Sequence, residues 1–172
     1  MSVFVALLRA VNVGGTGKLP MIELKAMCEA SGFTDVKTYI ASGNVVFRAA
    51  VDAIKVKAAL EARLADYAGK PVGVIIRTPT EMAAVLATNP FPDGPGNRTV
   101  AIFLDGAPPP GALDDLKHRK SEVLALGSRE IYVLYDDGMA DSRLVIPAAK
   151  AGTARNMNTV AKLAGMAAAL EG

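Results

Sequence analysis

The segment of residues 9–20 (RAVNVGGTGKLP) contains the residue types that hold anions in proteins. It follows an apolar run, and its glycines would let backbone N–H groups approach a ligand. Pro20 suits the start of a helix, and a helix N-terminus favours negative charge. The candidate ligand-binding residues of this segment are Arg9, Asn12, Gly14, Gly15 and Lys18. The pattern indicates either an anion-binding loop or a tight loop whose glycines only satisfy backbone geometry.

The spacing within this segment excludes two common phosphate-binding motifs. A P-loop requires a glycine, four further residues and then Gly-Lys followed by Ser or Thr. Here Asn12 stands in place of the first glycine, and Leu19 stands in place of the hydroxyl residue. A dinucleotide-binding fingerprint would require glycine at the position of Pro20. The segment therefore matches neither an ordinary P-loop ATPase nor a Rossmann site.

A second candidate segment is Ser42-Gly43-Asn44, which lies between two short strand-like runs. Gly and Asn tolerate positive φ at low cost, so the composition is typical of a hairpin turn. In a second interpretation, the side chains of Ser42 and Asn44 point toward the loop that follows the first strand. Both interpretations are compatible with the sequence.

The third candidate segment covers residues 153–162, where Arg155, Asn156 and Asn158 lie close to the start of the last predicted helix. Thr153 or Asn156 can cap that helix. Arg155 would lie near the positive end of the helix dipole, which is unfavourable unless an anion or a carboxylate is close. The conflict indicates either a bound anion or an internal salt bridge.

Together the three segments predict one pocket for phosphate or carboxylate groups, with arginine as the bidentate partner. The predicted function is the binding of a small anionic ligand, phosphorylated or nucleotide-like. No pair of nucleophile and base is recognisable, so catalytic residues and a cofactor are not predicted. The alternative is a nucleic-acid or protein interaction module without catalysis, in which Tyr39 and Phe47 are isolated candidates for contact with RNA bases.

The composition limits the classes of protein to be considered. The chain has 172 residues, 51% of them hydrophobic, and a net charge of +2, which is too small for a general nucleic-acid binder. Cys28 and His118 are the only residues of their types, so no disulfide within the chain and no metal site is predicted. The sequence shows no signal-like stretch and no apolar run of about 18 residues, which predicts a cytoplasmic protein without a membrane span.

The first half of the chain predicts a β-α-β-β-α-β order, which is the ferredoxin-like split βαβ arrangement of the α+β class. The strands are expected at 3–9, 36–40, 44–48 and 72–77, with helices from Pro20 to Gly32 and from Asp52 to Gly69. Ile54, Ala58, Leu60, Leu64 and Tyr67 are expected to form the apolar face of the second helix.

The second half predicts a smaller α+β arrangement that ends in a helix. Thr78-Pro-Thr-Glu81 matches a capping box with proline at the first helical position. The other expected elements are a strand at 99–104, short helices at 112–118 and around 142–149, a hairpin of 122–126 with 130–135, and a helix from about 156 to 170. His118 would then be a solvated cation at a helix end. We expect two subdomains, residues 1–78 and 79–172.

Several motifs resemble a bacterial family catalogued as domain of unknown function 1697. They occur in the family order at residues 7–21, 39–47, 89–91 and 153–163. The resemblance implies a ferredoxin-like α+β fold and no particular activity, catalytic residue or cofactor. The chain departs from the family pattern at Ala10, where glycine is usual, and at Met157, where tryptophan is usual. Its segment 136–150 is also shorter than usual.

Overall fold

The computed structural model of the chain describes residues 1–12 and 18–172. These residues form two compact units, the first made of Met1–Met82 with Lys162–Gly172 and the second of Ala83–Ala161. The elements in chain order are β1 (Ser2–Leu8), α1 (Met21–Ala30), β2 (Thr34–Thr38), β3 (Asn44–Ala49), α2 (Ala53–Ala68), β4 (Val74–Arg77), α3 (Pro79–Ala87), β5 (Thr99–Phe103), β6 (Val123–Leu126), β7 (Glu130–Leu134), β8 (Thr153–Asn156) and α4 (Met157–Glu171).

The first sheet has the strand order β2-β3-β1-β4, and its neighbouring strands are antiparallel. With helices after β1 and β3, this is the ferredoxin-like arrangement, so the predicted fold class is confirmed. β1 lies at the centre of the sheet because Val3 to Leu8 are all apolar and buried, which suits a strand covered on both faces.

One face of this sheet packs against α1 and α2. Phe47 of β3 is fully buried there and stacks on Phe33, with ring centroids 4.6 Å apart. Leu24 of α1 and Leu60 of α2 belong to the same buried cluster. The opposite face, which includes Val5, is buried as well. The first sheet therefore exposes little of either face to solvent.

Local signals define the ends of the two helices. Asp52 accepts a hydrogen bond from the Lys55 backbone N–H (3.0 Å) and so caps α2, as predicted. At the end of α1, the N–H of Gly32 donates to the carbonyl of Glu29 (3.0 Å) and the N–H of Phe33 to that of Cys28 (3.1 Å), which is a Schellman motif. Gly32 has the positive φ of +87° that this motif requires.

The predicted apolar face of α2 is correct at Leu60 and Leu64 and wrong at Ile54, Ala58 and Tyr67, which are exposed. The buried residues are Val56, Leu60 and Leu64, whereas Ile54 is 80% exposed. Ile54 lies almost opposite Val56, because two residues turn a helix by about 200°. The helix therefore packs through a narrower face than predicted, with Val56 in place of Ile54.

In the second unit the strand order is β6-β7-β5-β8, again antiparallel throughout. If the strands of this sheet are numbered from β5 as the first, their order is second, third, first, fourth, which is also the order in the first sheet. Loops replace the two helices of the ferredoxin-like unit, and Leu113, Leu116 and Leu144 of these loops pack against the core of β5 and β7. The strand β8 was not predicted, although it pairs with β5 along its whole length.

The predicted helix at 112–118 is wrong. Residues 110–115 form turns, and Lys117 makes an antiparallel backbone bridge with Val145. A helix of seven residues is marginal by itself, so the hydrogen bonds of the bridge and the burial of the leucines decide the local structure. The helix expected around 142–149 is reduced to one 3-10 turn at Pro147–Ala149.

The predicted capping box at the start of α3 is confirmed. The Thr78 N–H donates to the Glu81 carboxylate (2.8 Å), and the Glu81 N–H donates to the Thr78 hydroxyl (3.2 Å). Within the part of the chain that the structure describes, no helix combines the length and the apolar character needed to cross a bilayer.

Cys28 lies in the core of the first unit, and its burial leads to a prediction about pH. Burial, and secondarily the nearby Glu29 carboxylate, raise the pKa of the thiol from 9.0 to about 12. The unfolded thiol ionises first, so this contribution is fully present below pH 9 and is lost as the pH rises toward 12. We expect the free energy of unfolding, measured in urea, to fall more steeply between pH 9 and pH 12 for the wild type than for Cys28→Ala. The two slopes should differ by up to about 1.4 kcal/mol per pH unit. Parallel pH curves for the two proteins would contradict the prediction.

Candidate functional site

The structure brings the first two candidate segments together through Asn12. Its side-chain amide donates to the carbonyl oxygens of Leu19 (2.8 Å) and Ala41 (2.8 Å), and its Oδ1 accepts from the Leu19 N–H (2.6 Å). The Asn12 side chain thus joins residue 12 to Leu19 and to the turn of the β2–β3 hairpin. Asn12 has a φ of +56°, which asparagine tolerates better than most residues.

The polar atoms of the hairpin turn are also used within the turn. The Asn44 amide donates to the Tyr39 carbonyl (2.8 Å) and to the Ser42 hydroxyl (2.9 Å), and Asn44 is fully buried. Gly43 at the tip accepts a hydrogen bond from the Leu8 N–H (2.8 Å) through its carbonyl. Ser42 and Asn44 therefore hold the turn beside the end of β1.

A cavity of about 340 Å³ lies beside this loop, entirely within the first unit. Its lining comes from the loop, from the last turn of α2 and from the segment that follows it: Ala10, Val11, Lys18, Leu19, Leu64, Tyr67, Ala68, Lys70 and Val72. Most of these side chains are apolar. The polar groups among them are two lysine ammonium groups and the hydroxyl of Tyr67, a residue that is 47% exposed.

The cavity contains one of the predicted site residues, Lys18. The side chain of Arg9 instead lies against Gly73. The Cβ and Cδ atoms of Arg9 are each 3.6 Å from the position that a Cβ on residue 73 would occupy. Gly14 and Gly15 lie outside the described residues. The sequence did not single out Lys70, although the Gly69-Lys70-Pro71 breaker after α2 was a signal that the chain turns back there.

The third candidate segment belongs to the second unit. Arg155 lies in β8 and is 6% exposed, and it donates to the Thr153 hydroxyl (2.6 Å) and to the Ala154 carbonyl (2.9 Å). Burial lowers the pKa of its guanidinium to about 10, so it stays charged at neutral pH. Asn156 caps α4, since its Oδ1 accepts from the Thr159 N–H (2.9 Å).

Asn158 is exposed in the first turn of α4, and a Cβ at Gly96 would overlap its side-chain amide. Asn12 contacts the hairpin turn, but Arg155, Asn156 and Asn158 lie in the other unit. A single pocket formed by all three segments stays a prediction. Among the described residues, no three His, Cys, Asp or Glu side chains are grouped as a metal site would need.

Comparison with known proteins places the chain in a family. A family model described as a protein of unknown function (DUF1697) matches residues 1–132, about three quarters of the chain. The chain belongs to this family. Conserved bacterial protein SP0830 from Streptococcus pneumoniae has a similar solved structure, with 22% sequence identity and a TM-score of 0.78 over 96% of this chain and 98% of that one. At this identity the likeness shows the fold alone. No curated protein matches the chain.

Two departures from the DUF1697 pattern lie at positions that the structure describes. Ala10, where the family usually has glycine, has a φ of +55°, a conformation that costs an alanine roughly 1 kcal/mol and a glycine little. Met157, where tryptophan is usual, is the first residue of α4 and only 6% exposed. In this DUF1697 chain that position contributes to a core rather than to an exposed aromatic surface.

Proposed function

We propose that this DUF1697 protein binds a small molecule with an apolar body and an anionic group, phosphorylated or nucleotide-like, in the cavity beside residues 10–19. The observation that carries the proposal is the presence of two lysines, Lys18 and Lys70, on an otherwise apolar cavity. Sites for small molecules have typical volumes of roughly 300–1,000 Å³ and are mostly apolar with a few polar groups. The cavity of about 340 Å³ fits this description.

The charges around the cavity favour an anion. Neither Lys18 nor Lys70 takes part in an ion pair among the described residues, and residues 13–17 contain no Asp or Glu. No carboxylate belongs to the lining given above. A phosphate placed there would be held by the two lysine charges. The rest of the ligand would contact the ring of Tyr67.

The predicted polar residues have a supporting role in this proposal. Asn12 and Asn44 use their amide groups to hold the loop and the turn. They shape the wall of the cavity that Val11 and Leu19 form, and Lys18 extends from that same loop. The contacts with the ligand therefore come from the lysines and the apolar wall.

The burial of the sheet supports a small ligand over RNA. RNA-recognition modules stack bases on exposed aromatic residues of the sheet. Phe47 is fully buried against Phe33, so it offers no such surface. Tyr39 is half-buried, with the Lys162 ammonium 5.9 Å from the centre of its ring.

We expect the double variant Lys18→Gln/Lys70→Gln to weaken binding of the ligand at least about tenfold, because it removes two positive charges and keeps the size of the side chains. Thermal unfolding against a panel of nucleotides and sugar phosphates identifies the ligand by a rise in the midpoint, and calorimetry then measures its affinity.

Lys55→Gln is the matched control, because Lys55 is an exposed residue of α2 that does not line the cavity. Its affinity for the ligand should equal that of the wild type. No rise of the midpoint with any compound would overturn the proposal and favour the interaction module. Equal affinity of the double variant and the wild type would place the ligand elsewhere.

A further inference from the structure

A second cleft, of about 710 Å³, lies within the second unit and is lined mainly by polar and charged residues. Its two walls are residues 118–120 and 140–143. The interpretation of His118 as a cation at a helix end is wrong, because the helix is absent and the segment forms a wall of this cleft.

Backbone and side-chain hydrogen bonds hold the two walls together on both sides. On one side, Lys117 and Val145 exchange two backbone hydrogen bonds of 3.0 and 2.9 Å. On the other side, the Ser142 hydroxyl donates to the Glu122 carboxylate (2.5 Å), and the same carboxylate accepts from the Lys120 N–H (2.6 Å). The walls are thus fixed relative to each other before any ligand arrives.

Glu122 supports the cleft from outside its lining. Glu122 is 5% exposed, and its carbonyl accepts from Arg119 Nε (2.8 Å), which orients the guanidinium. The hydrogen bonds from the Ser142 hydroxyl and the Lys120 N–H hold the pKa of the Glu122 carboxyl below its ordinary value. The carboxylate is therefore ionised at neutral pH, and it connects the two walls of the cleft.

The lining carries an excess of positive charge. Arg119, Lys120 and Arg143 contribute three cations and Asp141 one carboxylate. None of these four takes part in an ion pair among the residues that the structure describes, and Arg119 interacts electrostatically with the Glu122 carboxylate outside the lining. A bound anion would offset this excess of positive charge.

We propose that this cleft is a second binding site, specific for the diphosphate or triphosphate group of a small molecule. Three cations on two opposed walls match several linked phosphates better than one carboxylate, and arginine can hold a phosphate through two parallel hydrogen bonds. The low aromatic content of the lining gives no platform for a base, so recognition is of the phosphates. The site is independent of the cavity beside residues 10–19.

Calorimetric titration with inorganic pyrophosphate at low salt tests this proposal. The double variant Lys120→Gln/Arg143→Gln should bind pyrophosphate at least about tenfold more weakly than the wild type, and the loss should shrink as salt is added. Both residues are exposed, so the variant is expected to fold, and the single variant Lys120→Gln provides a second measurement with a smaller change. Inorganic sulfate, with one anionic centre, should bind more weakly than pyrophosphate.

Lys18→Gln/Lys70→Gln is the control that separates the two sites. It should bind pyrophosphate as the wild type does. If this control loses pyrophosphate binding while the Lys120→Gln/Arg143→Gln variant keeps it, the second site is refuted and the first is supported. Absence of pyrophosphate binding by the wild type also refutes it.

Discussion

Gly43→Ala should destabilise the protein by about 2–5 kcal/mol, because alanine at this position meets two independent obstacles. The backbone has a φ of +90°, which costs an L-residue with a Cβ roughly 1–2 kcal/mol. The new Cβ would also lie 2.7 Å from Val11 Cγ2 and 2.8 Å from Leu8 Cβ. Both neighbours are buried, and overpacking of this kind costs typically about 1–3 kcal/mol. Urea unfolding of the two proteins measures the difference.

Gly32→Ala is the matched control for this prediction. Gly32 has a similar φ of +87°, but no heavy atom lies within 4 Å of the position that a Cβ would take. Alanine there should cost about 1 kcal/mol, the backbone contribution alone. Equal losses at Gly43 and Gly32 would show that the contacts with Leu8 and Val11 relax without cost.

Asn12→Ala should cost about 2–4 kcal/mol, the second largest effect that we expect. The variant loses three hydrogen bonds, which contribute net roughly 0.5–1.5 kcal/mol each. It also places alanine at a φ of +56°. Residue 12 would then no longer be hydrogen-bonded through its side chain to Leu19 and to Ala41 of the hairpin turn. Thermal and urea unfolding measure the loss.

Asn12→Gly separates the two contributions in that prediction. Glycine accepts the positive φ without strain but has no amide, so this variant should lose only the part due to the hydrogen bonds. If it is as stable as the wild type, the amide of Asn12 contributes nothing to the fold. Because either change loosens the wall of the cavity, neither is a clean test of ligand binding. Lys18 and Lys70 are better positions for that test.

The elements that the sequence predicted correctly are those with signals inside a few neighbouring residues. Asp52 and Gly32 mark helix ends because a side chain or a positive φ satisfies backbone groups nearby, whatever the rest of the fold does. The capping box of Thr78 and Glu81 is of the same kind. With four strands in a β-α-β-β-α-β order, these signals leave few topologies, and the ferredoxin-like one was predicted.

The errors occur where distant residues compete with local preference. Ile54 was expected in the core of the first unit, but the side of α2 that faces the sheet is set by packing, and Val56 lies there instead. Residues 112–118 favour a short helix by composition. The bridge of Lys117 with Val145, a contact between residues 28 positions apart, stabilises a different structure.

The candidate sites divide in the same way. The sequence by itself determined the order of strands and helices in the first unit and the ends of α1 and α2, because each of these has its own local signals. Only the tertiary structure decided that Asn12 holds the loop, that Lys18 and Lys70 share a cavity, and that Lys120 and Arg143 face a common cleft. These relations join residues 23 to 52 positions apart, and such contacts are set by the packing and pairing of whole elements.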